Sequence, residues 1–140
     1  MCKRKGYGES SLAALVSIYR TRARRYSHSF TLLRDEGMRL LSSPCHYCGA
    51  PPAKTYHRPG GYGECLYNGL DRVDNAKGYE PGNVVPCCTA CNLAKGMASG
   101  EQFLAWALSV ARHQGWTSMP GLEVLPRQAI RHGRGRLRAV

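Results

Sequence analysis

Four cysteines stand in two C-x-x-C pairs, Cys45 with Cys48 and Cys88 with Cys91, and thirty-nine residues separate the pairs. Two-residue spacing lets both thiolates of one turn reach a single ion, and two such turns complete a tetrahedral zinc site with Zn–S distances of about 2.3 Å. The pairs predict a structural Zn²⁺ that joins two distant segments and removes loop entropy from the unfolded chain. Because a four-thiolate site has no open coordination position, we expect any catalysis to lie elsewhere.

The other cysteines leave alternatives open. Cys87 competes with Cys88 as a ligand because it precedes Cys91 by four residues, but the spacing of the first pair favours Cys88. Cys2 and Cys65 are expected to take no part. A redox pair or ordinary buried thiols are the alternatives to zinc. Seven cysteines would leave one unpaired in a disulfide framework, so a reducing setting with a bound metal is favoured.

A second set of chemically capable residues begins within the sequence NGLDRVD at 68–74. Asp71 lies in a predicted strand, Asn83 lies on the predicted return strand, and Asn92 falls just inside a predicted helix. If the hairpin forms and the helix packs against it, Asp71 and Asn92 converge. A carboxylate and an amide oxygen suit Mg²⁺ or Mn²⁺ better than zinc. Such an ion in a basic protein can bind a phosphodiester and stabilise its leaving oxygen.

Each of these residues also has a simpler interpretation. Asp71 can pair with Arg72 or cap a turn, Asn83 can serve the turn after Gly82, and Asn92 can cap a helix. Asp74 and Asn75 are expected to make the hairpin turn and receive no catalytic role. Each simple interpretation is favoured when its residue is taken alone. The combination with two C-x-x-C pairs favours the functional interpretation.

Three helices are predicted around these motifs. Residues 10–26 place apolar side chains on one face, with Ser10 or Ser11 as the cap. A second helix is predicted from a Thr31 cap to Leu41, and residues 100–113 form a third that begins at a capping box of Ser99 and Gln102. The inward side chains of these helices are predicted to be Leu12, Leu15, Val16, Tyr19, Ala23 and Tyr26; Leu33, Leu40 and Leu41; and Phe103, Ala107 and Val110.

Two short strands are predicted between the helices, at 66–73 and 82–88, with residues 53–65 as a loop and a short helix after the second cysteine pair. Trp106 and Trp116 are expected to belong to the core or to cover it. The last fifteen residues carry five arginines and no acidic residue, which indicates a flexible basic tail.

The charge of the chain indicates a polyanionic partner. Twenty Lys and Arg residues against nine Asp and Glu give a net charge of +11 and a pI of about 9.7. Nucleic acid is the first candidate. Four arginines near the end of the first helix, with no acid between them, predict phosphate contacts, and Lys95 is predicted to face the same phosphate as Asn92. The four are Arg20, Arg22, Arg24 and Arg25. No signal peptide or apolar run of ~20 residues is seen, so we expect a cytoplasmic protein without a membrane partner.

The segments PCHYCG, GLDRVDNAKGY, GNVVPCC and CNLAKG, in this order and spacing, resemble the ββα-metal or HNH endonuclease motif. The resemblance covers residues 45–96 and is nearest to phage-type HNH proteins with a four-cysteine zinc. The segment RTRARRYSHSFTLL is also similar to the leader of such proteins. The resemblance implies an α+β fold, in which a small zinc-bound ββα-metal core carries flanking helices.

The resemblance also implies roles for individual residues. Asp71 corresponds to the first ligand of a catalytic Mg²⁺ or Mn²⁺, and Asn92 corresponds to the second ligand, on the helix. Asn83 corresponds to the middle asparagine, which orients the neighbouring catalytic group. The position after the first aspartate is normally a histidine that acts as general base, and here it is Arg72.

This departure leaves three accounts of how water is activated, because arginine stays protonated at pH 7. Another residue can be the base, with His57 the first candidate. The ion can activate water directly. The third account is a weak or inactive nuclease that only binds. Arg72 can still contact the scissile phosphate bidentately, and the family contains a DR-x-D branch, which favours retained activity.

The sequence thus predicts a basic helical region at 1–44, a zinc-bound HNH core at 45–96, a helix at 97–116 and a basic tail at 117–140. The predicted function is metal-dependent hydrolysis of DNA, duplex or branched, by nicking or double-strand cleavage. The alternative is a weak or inactive DNA-binding module on an HNH scaffold, and a third class is a zinc-stabilised protein-interaction domain. Double-strand cleavage would favour a homodimer. A phage, mobile-element or bacterial intracellular origin follows from the resemblance.

Overall fold

Four helices and two antiparallel hairpins make up residues 6–116, the part of the chain that the computed structural model describes. The architecture is α+β, as predicted, and the predicted basic tail at 117–140 lies outside the described residues. In chain order the elements are α1 (Glu9–Arg25), α2 (Arg34–Leu41), β1 (Lys54–His57), β2 (Glu64–Tyr67), β3 (Gly69–Arg72), β4 (Val84–Cys87), α3 (Thr89–Lys95) and α4 (Gly100–His113).

The apolar face of α1 forms the centre of the core. Leu15, Val16 and Ala23 are buried on this face, as the three- and four-residue spacing predicts. Tyr26 was expected on the same face but is 66% exposed, because the helix ends at Arg25 and the chain turns away. The core around α1 draws buried side chains from α2, the linker before it and both hairpins, and it consists of Leu15, Val16, Leu32, Leu41, Cys65, Leu70 and Val84.

The start of α1 differs from the prediction. Neither Ser10 nor Ser11 caps the helix; Gly8 is the N-cap residue, with φ of 73°, and it makes no side-chain cap. Ser11 is fully buried inside the first turn, where its hydroxyl donates to the Gly63 carbonyl at 2.7 Å and accepts from the Arg58 amide at 3.0 Å. The serine therefore joins α1 to the loop of the first hairpin.

Helix α2 begins two residues later than the Thr31 cap predicts, with Leu33 as its N-cap residue. The Thr31 amide donates to the Tyr79 carbonyl at 3.0 Å, which keeps the chain extended there. Leu33 becomes the extended N-cap residue and is 73% exposed, so the prediction that it points inward is wrong. A Cβ on Gly37 would lie only 3.0 Å from the Val16 side chain, so α2 crosses α1 closely at this glycine.

Residues 53–65, predicted as a loop, instead contain most of a hairpin in which β1 pairs antiparallel with β2. The predicted strand 66–73 is split between β2 and β3 at Asn68. The Asn68 amide nitrogen donates to the carbonyls of Ser43 and Ala50, at 2.9 and 3.1 Å, and its backbone amide donates to Leu41. These bonds turn the chain from one hairpin into the next.

The second hairpin pairs β3 with β4 and sets Asp71 opposite Val85. The Asp74 carboxylate accepts from the Ala76 amide at 2.9 Å, which confirms that Asp74 makes the turn. Strand β4 runs directly into the second cysteine pair and α3, so the order strand, strand, helix is that of a ββα unit.

Helix α4 matches its predicted bounds and its capping box, in which Ser99 and Gln102 exchange hydrogen bonds of 2.9 and 3.1 Å. Its predicted stripe is only partly covered. Phe103 is buried, whereas Val110 is 46% exposed, and Trp106 and Trp116 are more than half exposed rather than in the core. No helix within residues 6–116 has both the length and the apolar character to cross a bilayer.

Candidate functional site

The four predicted cysteines converge. The sulfur atoms of Cys45, Cys48, Cys88 and Cys91 all lie within 4.8 Å of one another, and those of Cys48 and Cys88 are 3.7 Å apart. A tetrahedron with Zn–S bonds of about 2.3 Å has edges of about 3.8 Å, so the thiols are positioned to bind one metal ion. Cys87 lies outside the cluster, and its thiol donates to the Cys88 carbonyl at 3.4 Å.

The pKa values of the thiols shift in opposite directions within the cluster. Burial alone would raise the pKa of Cys45, but backbone hydrogen bonds at Cys88, Cys48 and Tyr47 outweigh it and lower that pKa to about 7. Burial, followed by hydrogen bonds with the thiols of Cys48 and Cys88, raises the pKa of Cys91. Thiolates crowded around one point repel each other, and the positive charge of a central cation offsets that repulsion. Metal binding therefore releases the protons of the thiols.

Asp71 is buried near the end of β3 with both carboxylate oxygens engaged. Oδ2 accepts from the Tyr47 hydroxyl at 2.8 Å, and Oδ1 accepts from the Lys95 ammonium at 3.3 Å. The ammonium also donates to the Arg72 carbonyl at 3.0 Å. Burial, then the bond to Asp71, raises the pKa of Tyr47, so its hydroxyl remains a proton donor.

Asp71 and Asn92 line one cavity of about 330 Å³. Asn92 is exposed on α3, and its side-chain amide makes no hydrogen bond within residues 6–116. Cys88, rather than Asn92, is the N-cap residue of α3. The remaining wall of the cavity includes aromatic and basic side chains from α1, β3 and the loops, among them Tyr19, Arg22, His28, Arg72 and Tyr79. The structure therefore brings Asp71, Arg72 and Asn92 together.

Arg72 is fixed by the turn and by His28. Its Nη1 donates to the carbonyls of Asn75 and Lys77 at 3.1 and 2.9 Å, and its guanidinium lies 5.6 Å from the centre of the Tyr79 ring. The same nitrogen lies 3.2 Å from Nδ1 of His28. Nη1 has two hydrogens for these three acceptors, so one hydrogen is shared between two of them. A guanidinium has only donors, so in this contact Nδ1 of His28 accepts, which places the proton of the neutral ring on Nε2.

Asn83 holds the turn and is not among the residues that line the cavity. Its side-chain oxygen accepts from the Asp74 amide at 2.9 Å, and its nitrogen donates to the carbonyls of Asp74 and Gly78 at 3.1 and 2.9 Å. The turn that it closes contains the two carbonyls that fix Arg72. Asn83 thus acts on Arg72 through the backbone.

The four arginines predicted to contact phosphate are exposed at the end of α1, and none forms an ion pair with an acidic residue of the described region. Arg22 lines the cavity, which connects this basic surface to Asp71. Lys95, in contrast, is buried with 3% exposure and turns its ammonium inward to Asp71. The predicted contact of Lys95 with the same phosphate as Asn92 would therefore require this ammonium to turn away from Asp71.

Sequence reasoning missed three residues of the site: His28, Tyr47 and Tyr79. It selected His57 as the first alternative base, but His57 is exposed on β1 opposite Glu64 and does not line the cavity. His28 lies in the segment RTRARRYSHSFTLL, and the resemblance of this segment to the family leader could have indicated His28 as a site residue.

Comparisons with the sequences of known proteins find a viral relative. No protein-family description matches the chain. An uncharacterized protein, R423 of Acanthamoeba polyphaga mimivirus, is 31% identical over 84 residues, which are 60% of this chain but 14% of the relative. The chain thus spans a small part of that relative's length.

A solved structure of the rare-cutting HNH restriction endonuclease PacI superimposes with a TM-score of 0.55 at 25% identity. The match covers 81% of this chain and 94% of that chain. The α+β fold is therefore similar to that of an HNH endonuclease. This similarity supports a nuclease-like function at the level of that family.

Proposed function

We propose that the protein is a metal-dependent endonuclease that hydrolyses DNA phosphodiester bonds, by nicking or by double-strand cleavage. The observation that carries the proposal is the cavity in which the oxygen ligands Asp71 and Asn92 lie together with the cationic side chains of Arg22 and Arg72. A divalent cation and an anionic substrate need these two kinds of group around one small space. DNA is named because the structural neighbour is a restriction endonuclease described as perturbing DNA.

Zinc is the proposed ion of the four-cysteine cluster, because four thiolates at this spacing match its preferred ligands and geometry. Mg²⁺ or Mn²⁺ is the proposed ion of the cavity. Asn92 offers an amide oxygen with no competing bond in the described region. Each Asp71 oxygen accepts one hydrogen bond and can accept a second interaction. When bound, the ion would supply positive charge at the phosphate and lower the pKa of water.

The chain's own side chains would bind and orient the phosphate. The bonds of Arg72 to His28, Asn75 and Lys77 all use Nη1, so the rest of the guanidinium, which also interacts with the Tyr79 side chain, can approach phosphate oxygens. His28 would donate from Nε2. Burial raises the pKa of Tyr79, so that phenol is protonated at neutral pH. The described walls of the cavity offer no free basic nitrogen, and we therefore assign water activation to the ion rather than to His57.

The exposed arginines of α1 would extend binding along the DNA backbone. Arg20, Arg22, Arg24 and Arg25 contact phosphates in this proposal, which gives affinity without base recognition. The target is duplex or branched DNA. A homodimer would supply two cavities for a double-strand cut. The proposed setting is intracellular, in a phage, mobile-element or bacterial context, where free thiols remain reduced.

Cleavage of supercoiled plasmid by zinc-loaded protein, with Mg²⁺, Mn²⁺ or neither, tests the proposal. We expect ion-dependent nicking that Asp71→Asn reduces at least about 100-fold, since the variant keeps the side-chain volume but loses the charge that attracts the ion. Asp35→Asn on the exposed start of α2 is the matched control and should cleave normally. Zinc content and circular dichroism establish that each variant is folded. Undiminished nicking by Asp71→Asn would contradict the proposed site.

A second function is favoured by the buried ion pair of Lys95 and Asp71. An internal ammonium already neutralises the carboxylate that a catalytic ion would bind, which is what a binding module on a nuclease scaffold would need. Such a module would bind DNA with an affinity that falls steeply as salt rises, and it would cleave with neither ion. Binding without nicking by the folded, zinc-loaded protein would therefore replace the nuclease with this function.

A further inference from the structure

Tyr47 connects the four-cysteine cluster to Asp71. It lies inside the first C-x-x-C turn, between Cys45 and Cys48, and its hydroxyl donates to Oδ2 of Asp71 at 2.8 Å. The two residues are 24 positions apart in sequence; Tyr47 lies in the loop between α2 and β1, and Asp71 lies in β3. A metal that closes the turn around Cys45 and Cys48 therefore also fixes the origin of the side chain that holds Asp71.

The Tyr47 ring has little freedom to move. Its ring meets Phe103 of α4 edge-on, with centroids 5.3 Å apart, and meets His46 edge-on at 5.0 Å. The hydroxyl passes close to Gly100, where an added Cβ would lie 3.1 Å from the oxygen. The aromatic contacts and the small residue at position 100 thus fix where the hydroxyl ends.

The fixed position of the Tyr47 hydroxyl helps to set the orientation of the Asp71 carboxylate. Tyr47 holds one oxygen and Lys95 approaches the other, so the plane of the carboxylate is set by two donors on the protein side. The lone pairs that remain are those available to the cavity that Asp71 shares with Asn92. A carboxylate fixed in advance binds an ion without first losing rotational freedom.

We propose that Tyr47 is a positioning residue that orients Asp71 for the divalent ion of the cavity and couples the order of the four-cysteine cluster to that ion's affinity. The inference rests on the proposed function, because it takes Asp71 as an ion ligand. It assigns the C-x-x-C turn a role beyond folding. Tyr47 itself would touch neither the ion nor the DNA.

Mn²⁺ binding to zinc-loaded protein without DNA, followed by electron paramagnetic resonance of free Mn²⁺, tests the inference. Tyr47→Phe keeps the ring contacts and removes only the hydroxyl. We expect about tenfold weaker Mn²⁺ binding with full zinc content, as is typical when a hydrogen bond to a metal ligand is lost. In plasmid nicking, the Mn²⁺ concentration for half-maximal rate should rise by the same factor while the rate at saturating Mn²⁺ changes less.

Two further variants separate positioning from stability. Gly100→Ala leaves Tyr47 unchanged but places a methyl group 3.1 Å from its hydroxyl and from Val73, so these neighbours must shift by about a few tenths of an ångström, and Mn²⁺ binding should weaken several-fold with zinc retained. Tyr62→Phe removes a tyrosine hydroxyl from an exposed side chain that does not line the cavity, and it should bind Mn²⁺ as the parent does.

The results distinguish the inference from the function on which it rests. If Asp71→Asn loses Mn²⁺ while Tyr47→Phe binds it with the parent's affinity, the positioning role is wrong and the proposed nuclease stands. If Asp71→Asn binds Mn²⁺ as well as the parent and the parent does not nick DNA, both fall together. Weaker Mn²⁺ binding by both Tyr47→Phe and Gly100→Ala, at full zinc content, supports the inference.

Discussion

The two ring nitrogens of His28 have different tasks because Arg72 occupies one of them. Nδ1 accepts from a guanidinium that cannot lose its proton, so the neutral ring can only donate from Nε2. A histidine beside an arginine at the usual base position would suggest that the base had simply moved to another part of the chain. The geometry indicates instead a donor, which would stabilise phosphate charge rather than accept a proton from water.

Three substitutions of His28 test this difference. His28→Gln keeps a donor near the position of Nε2, His28→Asn keeps an acceptor for Arg72, and His28→Ala keeps neither. We expect His28→Ala to lower the plasmid nicking rate about 10- to 100-fold, within the range for one lost stabilising donor. His28→Gln should retain the most activity of the three. Equal and severe losses in all three variants, measured at fixed zinc content, would indicate a base instead.

At the scale of the elements, the turn between β3 and β4 links the fold to the proposed site, because it holds Arg72 in place. Its conformation depends on Asn83, whose side chain satisfies three backbone groups of the turn. The carbonyls of Asn75 and Lys77, which belong to this turn, accept hydrogen bonds from Arg72. The two asparagines of the ββα unit are thus unlike: Asn83 holds backbone, whereas Asn92 faces the cavity with its amide unoccupied within the described region.

A matched pair of alanine variants should separate these roles. Asn83→Ala leaves buried backbone groups without partners, and we expect the free energy of unfolding to fall by about 2 kcal/mol. Asn92→Ala removes an exposed side chain and should change that free energy by less than about 0.5 kcal/mol, yet it should weaken Mn²⁺ binding. Urea unfolding in buffer with constant zinc measures the first effect. A stability loss in Asn92→Ala as large as in Asn83→Ala would contradict the division.

Sequence reasoning reached the parts of the fold that depend on spacing. The bounds of α4, the bounds of α1 within one residue, the second hairpin and the meeting of the four cysteines all follow from local periodicity or ligand spacing. The parts that depend on close approach between distant segments did not follow. Leu33 points outward because Thr31 bonds to Tyr79, and the strand at 66–73 breaks because Asn68 bonds to Ser43 and Ala50.

The candidate site divides in the same way. Asp71, Arg72 and Asn92 are brought to one cavity as the family resemblance implies, although that arrangement does not test their roles. Tyr47 and Lys95 were not predicted as partners of Asp71, because no sequence period relates positions 24 residues apart on three different elements. Only the folded packing brings their donors to one carboxylate.

At the scale of the whole molecule, the four-cysteine cluster joins two segments that are separated by 39 residues of the chain. The cluster lies in a second, small core of Cys45, Cys87 and Cys88, while the main core lies between the N-terminal helices and the hairpins. Structural zinc contributes on the order of 10 kcal/mol to a small domain. That is comparable to the whole free energy of unfolding of such a domain, about 5–15 kcal/mol.

Alanine variants of the adjacent residues Cys87 and Cys88 should therefore differ strongly in their free energy of unfolding. Cys88→Ala should abolish zinc binding and unfold the protein, because three thiols no longer close the tetrahedron. Cys87→Ala should retain one zinc and cost only about 1–2 kcal/mol for the lost buried packing. Native mass spectrometry counts the zinc, and circular dichroism follows the fold. Loss of zinc from Cys87→Ala with retention by Cys88→Ala would reverse the assignment of the ligand.

The buried pair of Lys95 and Asp71 would let the protein fold before the cavity ion that activates it has bound. A carboxylate this deeply buried needs a positive partner during folding, and Lys95 supplies one from the chain itself. Folding would therefore not depend on the proposed ion of the cavity, whereas it would depend on the ion proposed for the four-cysteine cluster. In the proposed nuclease, the folded protein would be complete but inactive with Lys95 alone beside Asp71, and cleavage would begin only when the cavity ion and DNA bind.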